Sequence, residues 1–128
     1  MMNILLDTHS AIWFFEGDKR LPQSAIEAIS NLDNMIYVSI ASLWEIAIKL
    51  GINKLIFDDV YDGFLDALYN NEFVLLNVEP EHIKTTMKLP FIHRDPFDRM
   101  LIAQAMVEDM VIMTVDANIT KYGVKTIY

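Results

Sequence analysis

Short apolar runs alternate along this chain with stretches whose apolar residues recur at helical spacing. Ile4-Leu5-Leu6 reads as a short buried strand that stops at Asp7. Residues 10–16 then read as a helix ending near Gly17. A second helix fits residues 22–32, with Pro22 in its first turn and Ala25, Ile29 and Leu32 on its apolar side. Met35-Ile36-Tyr37-Val38 predicts a second strand, and Ser39 a cap on the helix that follows. In that helix Ile40, Leu43, Ala47 and Leu50 line one face until Gly51 ends it. Residues 59–69 form another amphipathic helix through Val60, Phe64, Leu65 and Leu68. Phe73-Val74-Leu75-Leu76 is a third strand, and Glu81 to Met87 a short helix. Two prolines stiffen the loop Leu89–Pro96, where Asp95 caps a strong helix and Pro96 takes its first position. That helix runs through Phe97, Leu101, Ala105 and Glu108. Met110-Val111-Ile112-Met113 is a fourth strand, and Val124 to Ile127 a short fifth.

Strands separated by helices imply a parallel sheet covered on both faces. The expected architecture is one three-layer α/β/α domain over residues 1–128, with a central parallel sheet of four to five strands. A chain of 128 residues suits one domain with an ordinary core.

Four acids change the picture from fold to chemistry. Asp7 follows the first strand, and Asp116 lies just beyond the fourth. Glu45 and Asp98 fall in the first turns of the helices after Ser39 and Asp95. In open α/β sheets, ligands bind beyond the carboxyl ends of the strands, where helix N-termini converge. Singly, each acid has an ordinary explanation. Asp7 and Asp116 could cap the elements after them, Asp98 could favour a helix dipole, and Ser42 with Glu45 has capping-box spacing. Jointly they do not, because crowded carboxylates repel and raise one another's pKa. A hard divalent cation reverses that cost. Magnesium among these acids would polarise a phosphate and acidify a water, which points to phosphodiester hydrolysis.

Composition trims the alternatives. With no cysteine, disulfides and thiolate metal sites are excluded, so any metal takes oxygen or histidine ligands. No signal peptide or membrane-length apolar run stands out, and a soluble cytoplasmic protein without membrane contact is expected. Ten Lys+Arg against 18 Asp+Glu leave a net charge of −8, which taken alone argues against nucleic acid. The objection weakens if several acids are metal ligands or a basic partner is bound. A 53% hydrophobic fraction, with eight Met and seven Phe, suggests a very full core or apolar surface that a partner covers.

The strings Asp7-Thr8-His9, Ser39-x-x-Ser42-x-Trp44-Glu45-Ile46, His93-Arg94-Asp95-Pro96-Phe97-Asp98-Arg99 with Ala103-Gln104-Ala105, and Thr114-Val115-Asp116 together resemble the PIN-domain family. The nearest likeness is to VapC-like ribonuclease toxins of toxin–antitoxin pairs. The resemblance spans nearly the whole chain. It implies an endoribonuclease using Mg²⁺, or Mn²⁺, with Asp7 and Asp98 as principal ligands and Asp116 completing the metal site. Glu45 would orient metal-bound water, with Ser39 and Thr114 supporting the site by hydrogen bonds. It further implies an RNA substrate, a small antitoxin that blocks the groove, and a homodimer. One departure is Gly51-Ile52-Asn53-Lys54-Leu55, where the family often has a Gly-Lys-Leu turn.

Arg94 and Arg99 flank Asp98 and could clamp a substrate phosphate, with Lys49 and Lys54 as further candidates. His9 could act as a general acid, although packing explains it as well, and His82 and His93 have no metal-ligand spacing. Trp13, Phe14 and Phe15 could stack on bases, but beside a core strand packing is the simpler account. Two other function classes compete. A phosphoacceptor or phosphatase would attack phosphorus with a strand-end Asp, yet His9 stands where a second Asp would be expected. A non-catalytic binding module would have no need of all four acids.

Overall fold

The computed structural model describes residues 1–51 and 58–128. The Gly51–Leu55 departure and Lys54 therefore lie, beyond Gly51 itself, outside the described residues. Five strands form one sheet: β1 (Asn3–Leu6), β2 (Met35–Ser39), β3 (Val74–Leu76), β4 (Val111–Met113) and β5 (Thr126–Ile127). They lie in the order β3-β2-β1-β4-β5, and every pairing is parallel.

β1 is central, hydrogen-bonded to β2 and β4, with Ile4 opposite Ile36 on one side and Val111 on the other. Ile4, Leu5 and Leu6 are all fully buried because both faces of the strand are covered. Alternate side chains of one strand point to opposite faces, and this divides the core in two. Ile4 and Leu6 join Ile12, Val38, Ile46, Phe64 and Met113 on one face. Leu5 joins Leu101, Ile102, Ala105, Ile112 and Ile119 on the other. The first face is covered by α1 (Thr8–Glu16), α2 (Gln23–Ser30), α3 (Ile40–Gly51) and α4 (Asp58–Tyr69). Across the sheet lie α5 (Pro80–Lys88), α6 (Pro96–Glu108) and α7 (Ala117–Thr120), where α5 packs on α6. The expected three-layer α/β/α fold with a five-stranded parallel sheet is the one observed.

Local boundaries differ from the periodicity where capping decides them. α1 starts two residues earlier than 10–16, because the Asp7 carboxylate accepts the Ser10 N–H and nucleates the turn. α2 stops at Ser30, and Pro22 precedes its first turn instead of lying in it. Leu32 therefore falls beyond the helix and is 99% exposed, not part of its apolar face. The short α7 had no apolar stripe to announce it. Phe14 and Phe15 pack on Phe73, and Phe15 also on Phe64, so this aromatic run belongs mainly to the core. No helix among the described residues is long and apolar enough to cross a membrane.

The chain leaves β1 toward β2 and β3, then returns to the other side of β1 for β4 and β5. The direction of winding thus reverses between β1 and β4, the place where open α/β sheets form their ligand crevice. Asp7 and Asp116 follow these two strands.

Candidate metal centre

The Asp7 N–H extends the ladder to Met113 O at 3.1 Å, which fixes this residue at the mouth of the crevice. Its carboxylate is buried, and only Oδ1 is engaged by the cap to Ser10, at 2.8 Å. Ser10 Oγ in turn bonds Met113 O and the Tyr128 hydroxyl, closing the floor behind Asp7. Burial raises the pKa of that phenol above its usual value.

Glu45 reaches the same region from α3. The capping-box explanation fails, because α3 begins at Ile40 and Ser42 lies inside it. The Ser42 hydroxyl instead accepts a hydrogen bond from Thr8 Oγ1 at 3.0 Å, pinning α3 to the start of α1. Glu45 Oε2 pairs with Lys49 Nζ at 3.1 Å. Its Oε1 is buried with no hydrogen-bond partner. A carboxylate oxygen stripped of water and left unpartnered is costly, and folding alone offers no return for it.

Asp98 stands in the first turn of α6, but the cap there belongs to Asp95, whose Oδ1 accepts the Phe97 and Asp98 N–H groups. The Asp98 side chain is thereby left for the crevice. Burial, then the neighbouring Asp95 charge, pushes its pKa up to about 7, with Asp7 and Glu45 adding to the rise and His93 opposing it. Asp98 thus feels two other proposed site acids, one at the end of β1 and one on α3.

Asp116 caps α7 through Oδ1, which accepts the Asn118 N–H at 2.9 Å. Thr114 Oγ1 accepts the Asp116 N–H and turns the chain out of β4. Ser39 is fully buried and does the same at the end of β2, accepting the Ala41 N–H at 3.1 Å. Both polar positions act on backbone.

His93 is the participant that spacing missed. Its Nε2 lies 2.8 Å from Asp116 Oδ2 and 3.1 Å from Asp98 Oδ2. Polar atoms of His93, Asp98 and Asp116 all fall within 4.8 Å of one another, the one such group found among the described residues. Asp7 and Glu45 stand outside that group, though near enough to raise Asp98. A sequence signal did exist, since His93 Nδ1 accepts the Asp95 N–H two residues on. Asp116, 23 residues away, could not be placed by it.

The flanking basic residues part ways. Arg99 is not available to clamp a phosphate. Its Nη1 donates to Pro90 O at 3.0 Å and to His93 O and the Tyr122 hydroxyl. Its Nη2 donates to Thr86 O at 3.0 Å and to Leu89 O, and the guanidinium lies over the Phe91 ring. Tyr122 completes the clasp by donating to Pro90 O and accepting the Ile92 and His93 N–H groups. This clasp holds the loop that presents His93. Lysine cannot reproduce the fork. Arg99→Lys is therefore expected to lower stability by about 2 kcal/mol, read as a fall in denaturant midpoint at unchanged slope. An unchanged midpoint would show the clasp to be idle.

Arg94 is exposed and makes no ion pair among the described residues. It lines a shallow groove with Glu45, Ile48, Lys49 and Phe97 beside the acids. His9 is exposed on α1, near the Trp13 ring, and is not a member of the His93 group. His82 is fully buried, accepting the Glu79 N–H at Nδ1 and meeting Glu108 at 2.8 Å, which marks it as a helix-start and packing residue.

The donor set fits a hard divalent cation. Asp7 Oδ2, Asp98 Oδ1 and Glu45 Oε1 have no hydrogen-bond partner among the described residues, and all three are carboxylate oxygens. Both oxygens of Asp116 are already engaged, Oδ1 by the Asn118 N–H and Oδ2 by His93.

Comparison with known proteins agrees with the geometry. No curated protein matches the sequence. Among solved structures, VapBC2 from Rickettsia felis bound to a promoter DNA fragment aligns with TM-score 0.73 and 15% identity, covering 98% of each chain. DNA-bound VapBC from Salmonella typhimurium aligns with TM-score 0.71 and 16% identity, covering 99% of this chain and 98% of that one. The PIN domain endonuclease Utp24 aligns with TM-score 0.53 and 15% identity, over 94% of this chain and 75% of its own. At such identities these likenesses establish the fold. The sequence profile of the PIN domain family matches residues 4–125, nearly the full length, and the chain belongs to the PIN domain family.

Proposed function

We propose that this chain is a Mg²⁺-dependent endoribonuclease, with Mn²⁺ an able substitute, and the toxin of a toxin–antitoxin pair. The observation that carries the reading is the buried, unpartnered Glu45 Oε1 beside an Asp98 whose pKa is raised to about 7. A fold does not keep both unless something positive and polar completes them. Asp7 and Asp98 would hold the cation directly, and Glu45 would orient water next to it. The bound cation would polarise a phosphate and lower the pKa of a water molecule. Asp116 and Thr114 would shape the far side of the site, and Arg94, exposed at the rim, would meet a substrate phosphate. Part of the charge of −8 that counted against nucleic acid would then be neutralised by the metal itself.

The toxin assignment is supported by relatives described as VapBC complexes and by one described as a PIN domain endonuclease. It also gives a use to the exposed apolar surface. Ile40, Trp44, Ile83, Phe97 and Met100 line a groove between α3, α5 and α6, and Trp44 is 66% exposed. A small basic antitoxin or a second copy of this chain would cover such a face. Both the RNA substrate and such partners suit a cytoplasmic protein.

The test is incubation of the purified chain with total RNA in Mg²⁺ and sequencing of the new ends. Defined internal cleavage sites that vanish with EDTA and return with Mn²⁺ are expected. Cleavage that persists in EDTA, or no cleavage under any metal, would remove the assignment.

A further inference from the structure

The loop before α6 delivers an imidazole to the gap between two of the acids, and the hydrogen bonds around that ring fix what it can do. His93 Nδ1 accepts the Asp95 N–H at 3.1 Å. Asp95 itself is immobilised as the cap of α6, with Pro96 behind it. An Nδ1 that accepts a bond carries no proton, so the ring proton sits on Nε2. That one N–H bonds Asp116 Oδ2 at 2.8 Å, and Nε2 also lies 3.1 Å from Asp98 Oδ2. The ring is largely enclosed, and its backbone is tied to the Tyr122 hydroxyl and to Arg99.

Proximity alone would make His93 a metal ligand. Ligation through Nε2, however, needs the lone pair that the proton occupies. Moving the proton to Nδ1 would set it against the Asp95 N–H, donor facing donor. Hard cations such as Mg²⁺ also prefer oxygen to imidazole.

We propose that His93 is the positioning residue of the metal centre. It donates its Nε2–H to Asp116 Oδ2, sets the same polarised ring edge 3.1 Å from Asp98 Oδ2, and does not ligate the cation. The attraction of that edge for Asp98 Oδ2 would steady the carboxylate and leave Oδ1 for the metal. Asp116, whose other oxygen receives the Asn118 N–H, serves to anchor the imidazole. A histidine fixed this way orients a ligand by the same physics by which outer hydrogen bonds orient ligands elsewhere. The assignment rests on the metal-centre reading above.

Nitrogen-15 NMR of the full-length, histidine-labelled protein tests the tautomer. The Nε2–H form is expected for His93 both in EDTA and with saturating Mg²⁺. Transfer of the proton to Nδ1 on adding Mg²⁺ would make His93 a ligand and overturn the proposal. Calorimetric titration with Mn²⁺ tests the consequence. His93→Leu should weaken binding about 10- to 100-fold, and His93→Gln, which keeps an N–H donor, by about threefold or less. Wild-type affinity in His93→Leu would overturn the positioning role while leaving the metal centre standing. Failure of the wild-type protein to bind Mn²⁺ would remove both.

Discussion

Asp98→Asn is expected to abolish RNA cleavage, by at least about 1000-fold, while making the metal-free protein more stable. A thousandfold corresponds to roughly 4 kcal/mol of transition-state stabilisation, reasonable for a group that holds the reactive cation. The stability gain follows from the raised pKa. In the unfolded chain this carboxyl ionises near 3.8, whereas in the fold it keeps its proton up to about 7. As pH climbs through that window the unfolded state gives up a proton that the native state retains, so native stability falls. Below pH 4 the penalty is absent, and above pH 7 it is complete. Asparagine has the same shape and no charge to desolvate. The melting temperature of Asp98→Asn in EDTA should therefore pull ahead of wild type between pH 4 and 7 and stay ahead above it. Added Mg²⁺ should close the gap from the wild-type side. Normal cleavage by Asp98→Asn, or a melting temperature at pH 8 no higher than wild type, would contradict this account of the site.

Variants of Asp7 would separate its helix cap from its proposed hold on the cation. Oδ1 caps α1 through the Ser10 N–H, and Oδ2, with no partner among the described residues, is the oxygen proposed for the cation. Asparagine caps a helix about as well as aspartate, but its amide is a poor substitute for an anionic ligand. Asp7→Asn should thus lose cleavage by at least about 100-fold, or ~2.7 kcal/mol, with no loss of melting temperature. Asp7→Ala should lose cleavage equally and also about 1 kcal/mol of stability, near 4 °C in a domain of this size. Equal melting temperatures for the two variants would mean that the cap contributes nothing. Substantial cleavage by Asp7→Asn would mean that the cation is held elsewhere.

This double use explains why reading the acids singly could not decide between capping and chemistry. A carboxylate has two oxygens, and at Asp7 one of them caps while the other is left over. Asp116 also caps, but its second oxygen goes to His93 instead. Glu45 reversed the expectation in a different way. Its Ser-x-x-Glu spacing offered the plainest local explanation of the four, and the fold denies it by starting α3 two residues before Ser42.

What the sequence determined by itself was everything carried by short-range order. Strand and helix periodicities gave the α/β alternation, and strands that end in acids put Asp7 and Asp116 at one sheet edge. Proline and aspartate chemistry at residues 95 and 96 placed the start of α6, and with it Asp98. Tertiary structure decided what depends on partners far along the chain. Arg99 looked like a phosphate clamp until five acceptors from residues 86 to 122 took up its fork. His93 lacked any ligand spacing because Asp116 lies 23 residues on, beyond α6 and β4, and only the packing of that helix and strand returns it to the ring. The physical reason is the same in both cases. Backbone preference and hydrophobic period act over a few residues, whereas the donors and acceptors that a side chain meets are set by packing across the whole fold.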